Sequence, residues 1–298
     1  MELFGIGVAL VTALAWALST ILLKLIAARI DTFTLNTLRL WTGSAVLLAF
    51  IFLSGRSTQL MQTSMAPMLY VMASGILAMV IGDTLYIKSL ALVDASKAFT
   101  IAQCSFPVFT ALVAILFLQE AFSWRTAVGA GFVLSGILFI AGRNKSGPPP
   151  AGSEDGNARG IMFALLAAVA WTAATTALKL GVLQMDTFVA AGIRIPFAAI
   201  VLTLFVLGRR TGGALYPARH PLKILLTAGV AGLLTYGVAA VGYVTAIQAI
   251  GAAKTVLITT TAPILVLPFS ILFLKEKPNA LALAGIFSCV VGICFIAF

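Results

Sequence analysis

WALSTILLKLIAARIDTFTLNTLR at residues 16–39 is echoed by WTAATTALKLGVLQMDTFVAAGIR at residues 171–194. Trp16, Lys24, Asp31, Thr32, Phe33 and Arg39 recur as Trp171, Lys179, Asp186, Thr187, Phe188 and Arg194, each displaced by 155 positions (171 − 16, 194 − 39). Rare residue types that agree without a gap, in a chain made mostly of lipid-like side chains, mark an internal duplication of the kind many transporters carry. Further out the copies stay in step with small shifts. Tyr86 and Lys97 match Tyr243 and Lys254, and Pro107, Glu120, Gly129 and Gly136 match Pro263, Glu276, Gly285 and Gly292.

Of 298 residues 61% are hydrophobic and 9% charged, against roughly 25% charged in soluble domains. A bilayer crossing needs about 20 mostly apolar residues, and runs of that size tile the chain. They predict ten transmembrane helices near residues 4–26, 32–53, 68–92, 98–118, 124–141, 160–182, 187–207, 222–248, 255–274 and 280–298. The runs are continuous rather than alternating with period two, so the fold class is an all-α integral membrane protein and not a barrel. The first run starts almost at Met1 with no basic segment before it and no small-residue cleavage site, so it is expected to stay as an anchor.

RNKSGPPPAGSEDGNAR at 143–159 has nothing to bury and reads as a linker between a first repeat, 1–142, and a second, 160–298. Five spans per half is an odd number, so the second copy enters from the opposite side: the expected architecture is a pair of inverted-topology five-helix repeats. Ten unpaired loop cations lie on the side reached after odd-numbered spans, against Arg56 and Arg125 on the other. The positive-inside rule then places both termini outside. The net charge of +10 is scattered over loops and helix ends, which suits anionic lipid headgroups as partners and not nucleic acid. Cys104, Cys289 and Cys294 fall inside spans without metal-ligand spacing, so packing is their expected role, and no metal or cofactor is expected.

The candidate site residues are those set in the wrong solvent. Trp16, Thr20 and Lys24 share one face of the first span, as Trp171, Thr175 and Lys179 share one of the sixth. The two lysines either snorkel to the interface or face a polar cavity between the halves. Arg39 and Arg194 follow matched Asp-Thr-Phe helix entries, where Asp31 and Asp186 suit capping. The arginines read as helix-end anchors or, through their planar forks, as contacts for a carboxylate or phosphate. Asp83 lies deep in the third span opposite Ala240 of the second copy. It is a candidate proton or cation carrier, or else a salt-bridge partner of Arg39, Lys24 or Lys88. Tyr86 shares its face, as Tyr243 shares one with Tyr236. Gln103 and Thr259 to Thr261 accompany Pro107 and Pro263, prolines that permit kinks and hence gating. Glu120 and Glu276 read as interfacial stops, and the glycine pairs of spans five and ten as peripheral packing or dimer surfaces.

This combination resembles the ten-helix drug/metabolite transporter superfamily in its EamA branch. The resemblance rests on Trp16, Lys24, Arg39, the Tyr86 to Lys97 stretch and PVFTALVAILFLQE at 107–120, each repeated in the second half up to PILVLPFSILFLKE at 263–276. Gln119 and Lys275 stand where the family usually has glycine, and Ala17 where glycine often follows the tryptophan. The resemblance implies a central cavity opened alternately to each side, export of amino acids or other small metabolites, and a multi-pass protein of a prokaryotic plasma membrane, as monomer or homodimer. For several members it implies cytoplasmic termini, the reverse of the charge count.

With no Walker motif, transport would draw on an ion or solute gradient. The substrate-binding set is then Trp16, Thr20, Lys24, Arg39, Tyr86, Gln103, Trp171, Thr175, Lys179, Arg194, Tyr236, Tyr243 and Thr259, with Asp83 for coupling. A membrane-embedded enzyme would need clustered carboxylates or a Ser/His or metal set, and the single His220 stands beside Pro221 in a loop. A channel or lipid-flipping protein shares the helices but not the need for two closed states.

Overall fold

The computed structural model describes residues 2–61, 63–118, 124–141, 153–182, 185–208, 221–250, 258–259 and 262–297, and all regular structure among them is helical. The helices are α1 (Glu2–Ile26), α2 (Thr32–Leu53), α3 (Ser57–Met61), α4 (Met65–Gly75), α5 (Asp83–Leu92), α6 (Ala95–Leu118) and α7 (Trp124–Ala141). They continue as α8 (Ser153–Val182), α9 (Thr187–Gly208), α10 (Leu222–Gly232), α11 (Ala240–Ile250), α12 (Ala262–Leu274) and α13 (Ala280–Ala297). Among the described residues six helical runs are long and apolar enough to cross a membrane: 2–26, 32–53, 65–92, 156–178, 187–208 and 222–246. Shorter apolar helices lie at 127–136, 262–274 and 280–292. Leucines and phenylalanines such as Leu53, Leu138, Leu272 and Phe287 face outward, the surface a bilayer would cover.

Local chemistry sets the ends. The carboxylate of Asp31 accepts the amides of Phe33 and Thr34 at 3.1 and 3.0 Å, and that of Asp186 accepts those of Phe188 and Val189 at 2.9 and 3.2 Å. The repeated Asp-Thr-Phe is therefore the same N-cap written twice. α2 stops at Gly55, whose φ of 72° lets the Arg56 amide return to the Ile51 carbonyl at 3.1 Å, a bond that closes the helix end. α8 starts at Ser153, inside the stretch expected as linker. Residues 143–152, Glu120, Lys254, Thr260, Thr261 and the Lys179 side chain lie outside what the structure describes.

Two breaks in regular winding lie outside the proline-bearing fourth and ninth spans. Pro107 lies within α6 and Pro263 at the start of α12, but the third and eighth spans each contain a π-helical turn, Ile76–Gly82 and Leu233–Ala239. Both turns follow a glycine, Gly75 and Gly232, and end just before the matched pair Asp83 and Ala240. A π turn shifts the side chains that follow it around the helix axis, and such turns gather at functional sites.

The two halves interlock. α1 packs on α10, its π turn and α11, while α8 packs on α4, its π turn and α5. α2 meets α9 in antiparallel sense: Phe33 near the start of α2 lies 5.3 Å from Phe205 near the end of α9, and Phe50 lies 4.5 Å from Phe188. The 155-residue offset exchanges these two pairs. The glycines of α7 and α13 do likewise. A Cβ on Gly136 would sit 2.6 Å from the Gly285 carbonyl oxygen, and one on Gly292 would sit 2.5 Å from that of Gly129. These stripes therefore pack against each other within one chain. The interior between helices is rich in fully buried alanine, including Ala9, Ala13, Ala17, Ala167, Ala174, Ala228 and Ala239, the small residue type that lets helices in lipid approach closely.

Candidate functional site

The site is assembled by the two π-turn rods and the helices that cross them. Gly75 faces Arg194, with the arginine's carbonyl oxygen 2.7 Å from where a glycine Cβ would stand, and Gly232 faces Arg39 at 2.5 Å. Only glycine permits a backbone to come that near. Each arginine is thus held against the third rod of the opposite half.

Asp83, at the start of α5, receives a hydrogen bond from Trp171 Nε1 at 2.9 Å and a short one from the Tyr236 hydroxyl. Both donors come from the second half, so this carboxylate, deep in its span, is gripped across the repeat boundary. Tyr236 OH also lies 3.3 Å from Asn36 Oδ1. Asn36 in turn donates to the Met79 carbonyl at 2.7 Å and to Thr84 Oγ1 at 3.0 Å. The first acceptor belongs to the π turn. Arg39 donates to Asn36 Oδ1 at 3.3 Å and to Thr235 Oγ1 at 3.1 Å, and its guanidinium lies 5.1 Å from the centre of the Tyr236 ring. Thr235 bonds Ser19 at 2.7 Å, which ties α1 into the same network.

A second layer is aromatic. Thr20 bonds Tyr86 OH at 2.8 Å, Tyr86 lies 5.6 Å from Trp171, and Trp16 lies 5.4 Å from Tyr243. Gly82 makes room for Trp171, whose Cδ1 stands 2.6 Å from the position of a Cβ there. Arg39 and Tyr236 are 2% exposed, whereas Asp83, Trp171, Arg194, Trp16 and Tyr243 keep partial accessibility. The network therefore has a buried base and an approachable face. The apolar cleft of about 500 Å³ between α1 and α11, lined by residues such as Phe4, Val8 and Val241, holds none of these polar groups.

Other candidates stand apart. Lys24 Nζ donates to the carbonyls of Leu90 and Val93 at 2.9 and 2.6 Å, so it caps the C-terminus of α5, where a cation suits the helix dipole. Glu276 caps α6 by accepting the Ala95 amide at 2.6 Å and the Ser96 hydroxyl at 2.8 Å. Between them, burial and the Glu276 carboxylate push the Asp94 carboxyl above the usual aspartate range, against the pull of Lys24 and Lys97. Thr175 bonds its own helix at the Trp171 carbonyl, 2.9 Å away. Gln103 is half-buried on α6, and Thr259 and Pro263 are buried. Lys88 lies over the rings of Phe33 and Phe163 at 5.2 and 5.6 Å.

Asn36, Thr235, Ser19 and Thr84 were not singled out by the sequence. Asn36 has Ala191 as its repeat mate, so the duplication did not mark it. An amide one helical turn before Arg39 in an apolar span was the signal available.

Comparison with known proteins follows the same lines. The EamA-like transporter family matches twice, over residues 3–142 and 158–298. An uncharacterized transporter of Archaeoglobus fulgidus is 23% identical over 285 residues, covering 95% of this chain and 94% of that one. An S-adenosylmethionine uptake transporter of Rickettsia felis is 28% identical over 123 residues, 41% of this chain and 40% of its own length. A protein of known crystal structure shares the fold over 99% of this chain and 96% of its own, with a TM-score of 0.69 and 19% identity. The chain is a multi-pass helical membrane protein that belongs to the EamA-like transporter family.

Proposed function

We propose that the chain is a secondary carrier that moves a small polar or amphipathic metabolite by alternating access between two inverted five-helix repeats, working as an exporter in a prokaryotic plasma membrane. The observation that carries this reading is the grip of Trp171 and Tyr236, from one half, on Asp83 of the other. A relative movement of the halves has to make or break those bonds, so whatever changes the charge of Asp83 biases the movement. The exchanged aromatic pairs at opposite ends of α2 and α9 support a two-fold relation between the repeats. Trp16, Tyr86, Trp171 and Tyr243 supply the solute's apolar surroundings, Arg39 and Arg194 its charged contacts, Asp83 the coupling group, and Pro107 and Pro263 the bends of the gating helices. Relatives in an archaeon and a bacterium suit a prokaryotic membrane.

The test is counterflow in liposomes. Purified protein is loaded in turn with unlabelled amino acids, amines, nucleosides and S-adenosylmethionine, the last because one relative is named for its uptake. Labelled solute outside should accumulate transiently when its own kind is inside. Flux without counterflow means a pore, and a chemically altered product means an enzyme. Asp83→Asn should abolish the response of flux to a pH gradient while exchange persists, and full pH-driven flux in that variant removes Asp83 from the coupling role.

A further inference from the structure

Asp83, deep in the third span, lies within electrostatic reach of two guanidinium groups, first Arg39 and then Arg194. Both Asp83 oxygens are already engaged, one by Trp171 and one by Tyr236. Arg39 spends its terminal nitrogens on neutral acceptors, Asn36 and Thr235. The Nε atoms of both arginines are buried without a hydrogen-bond partner. The same atom is thus left open on the two members of a repeat-related pair. The ion pair between Arg56 and Asp186 lies elsewhere. Lys88 lies against aromatic rings and Lys24 against helix-end carbonyls. With Asp83 ionised, two cations against one anion leave one unit of positive charge in a low-dielectric interior, where an uncompensated charge is costly.

We infer that Arg39 and Arg194 form a binding site for the carboxylate of a monoanionic or zwitterionic solute, with Asp83 as the resident counter-charge. Arginine's rigid fork matches a carboxylate. A single carboxylate brings the three-residue set to neutrality, whereas a phosphate dianion would overshoot it. This inference rests on the carrier reading only for the word solute, since binding at equilibrium needs no transport.

The experiment measures thermal stabilisation of the detergent-solubilised full chain by benzoate, phenylacetate and L-phenylalanine, each against its primary amide and against inorganic phosphate, at constant ionic strength. A ligand of the native state raises the apparent stability in proportion to its affinity. At least one acid should bind about tenfold or more tighter than its amide, as loss of one charge-assisted contact implies. Arg194→Gln should bring that ratio close to one, Arg194→Lys should restore part of it, and Asp83→Asn should tighten the acid several-fold without changing the amide. The inference is overturned if acids bind no better than amides, if phosphate binds tighter than every acid, or if Asp83→Asn weakens the acid. Should Arg194→Gln fail to fold, the lysine and Asp83→Asn variants still decide. Exchange of a solute that has no carboxylate, with no acid bound better than its amide, would keep the carrier reading and sink this one, while acid binding without any flux would do the opposite.

Discussion

Replacing Gly232 by alanine tests how the arginines are held. A Cβ at that position would lie 2.5 Å from the Arg39 carbonyl oxygen, 2.7 Å from its Cα and 3.0 Å from its carbonyl carbon. All three neighbours are backbone, so no rotamer change relieves the overlap. Ordinary contact begins at 3.4 Å, and α10 must therefore retreat from α2 by about 0.9 Å (3.4 − 2.5). Overpacking of that kind costs about 1–3 kcal/mol. Alanine's better helix propensity returns up to about 1 kcal/mol. The net expectation is a loss of about 1–2 kcal/mol in equilibrium unfolding of the solubilised protein, together with weakened transport because Thr235 and Tyr236, the partners of Arg39, move with α10 and its π turn. Gly75→Ala, facing Arg194 at 2.7 Å, should behave alike. Gly7→Ala is the control: nothing lies within 4 Å of its Cβ, so stability should hold or rise slightly. If Gly232→Ala unfolds at or above the wild-type midpoint, the close approach of α10 to Arg39 is not what holds that arginine.

Tyr236→Phe removes the donor shared between Asp83 and Asn36 and should cost about 1–2 kcal/mol in the same unfolding assay; no change would mean that the hydroxyl is readily replaced. Lys275 adopts a φ of 55°, a left-handed conformation that suits glycine, so Lys275→Gly should raise stability by up to about 1 kcal/mol, and a loss would show that its side chain contributes more than the strain costs. Asp94 binds a proton more tightly in the folded chain than in the unfolded one, so stability should fall as pH rises from the ordinary aspartate range near 4 through its elevated value. Asp94→Asn should flatten that slope, measured by thermal midpoints across pH, and an unchanged slope assigns it to other groups.

Much of this protein was legible in its residues because the solvent dictates it. A chain with so little charge has to satisfy its backbone within helices, and the repeated Asp-Thr-Phe caps announced where α2 and α9 begin. The reading also picked out Asp83, Arg39, Trp171 and Tyr236 one by one, since each is costly or unusual at its depth. Arg39 was among the salt-bridge partners considered for Asp83, but Trp171 and Tyr236 were not paired with either. Trp171 was grouped with Thr175 and Lys179 on its own helix, yet its indole serves Asp83 on another. Lys24 read equally well as a cavity group until the structure set it on the end of α5.

Helical periodicity says which residues share a face, and a duplication says which positions correspond, so family, class and candidate list follow from the chain alone. Which face meets which neighbour depends on how far two helices can approach and how each is turned about its axis. Gly75 and Gly232 set the first and the π turns after them set the second. Both are decided by packing across the repeat boundary, between residues as far apart as Gly75 and Arg194 or Gly232 and Arg39, where one-dimensional spacing carries no information.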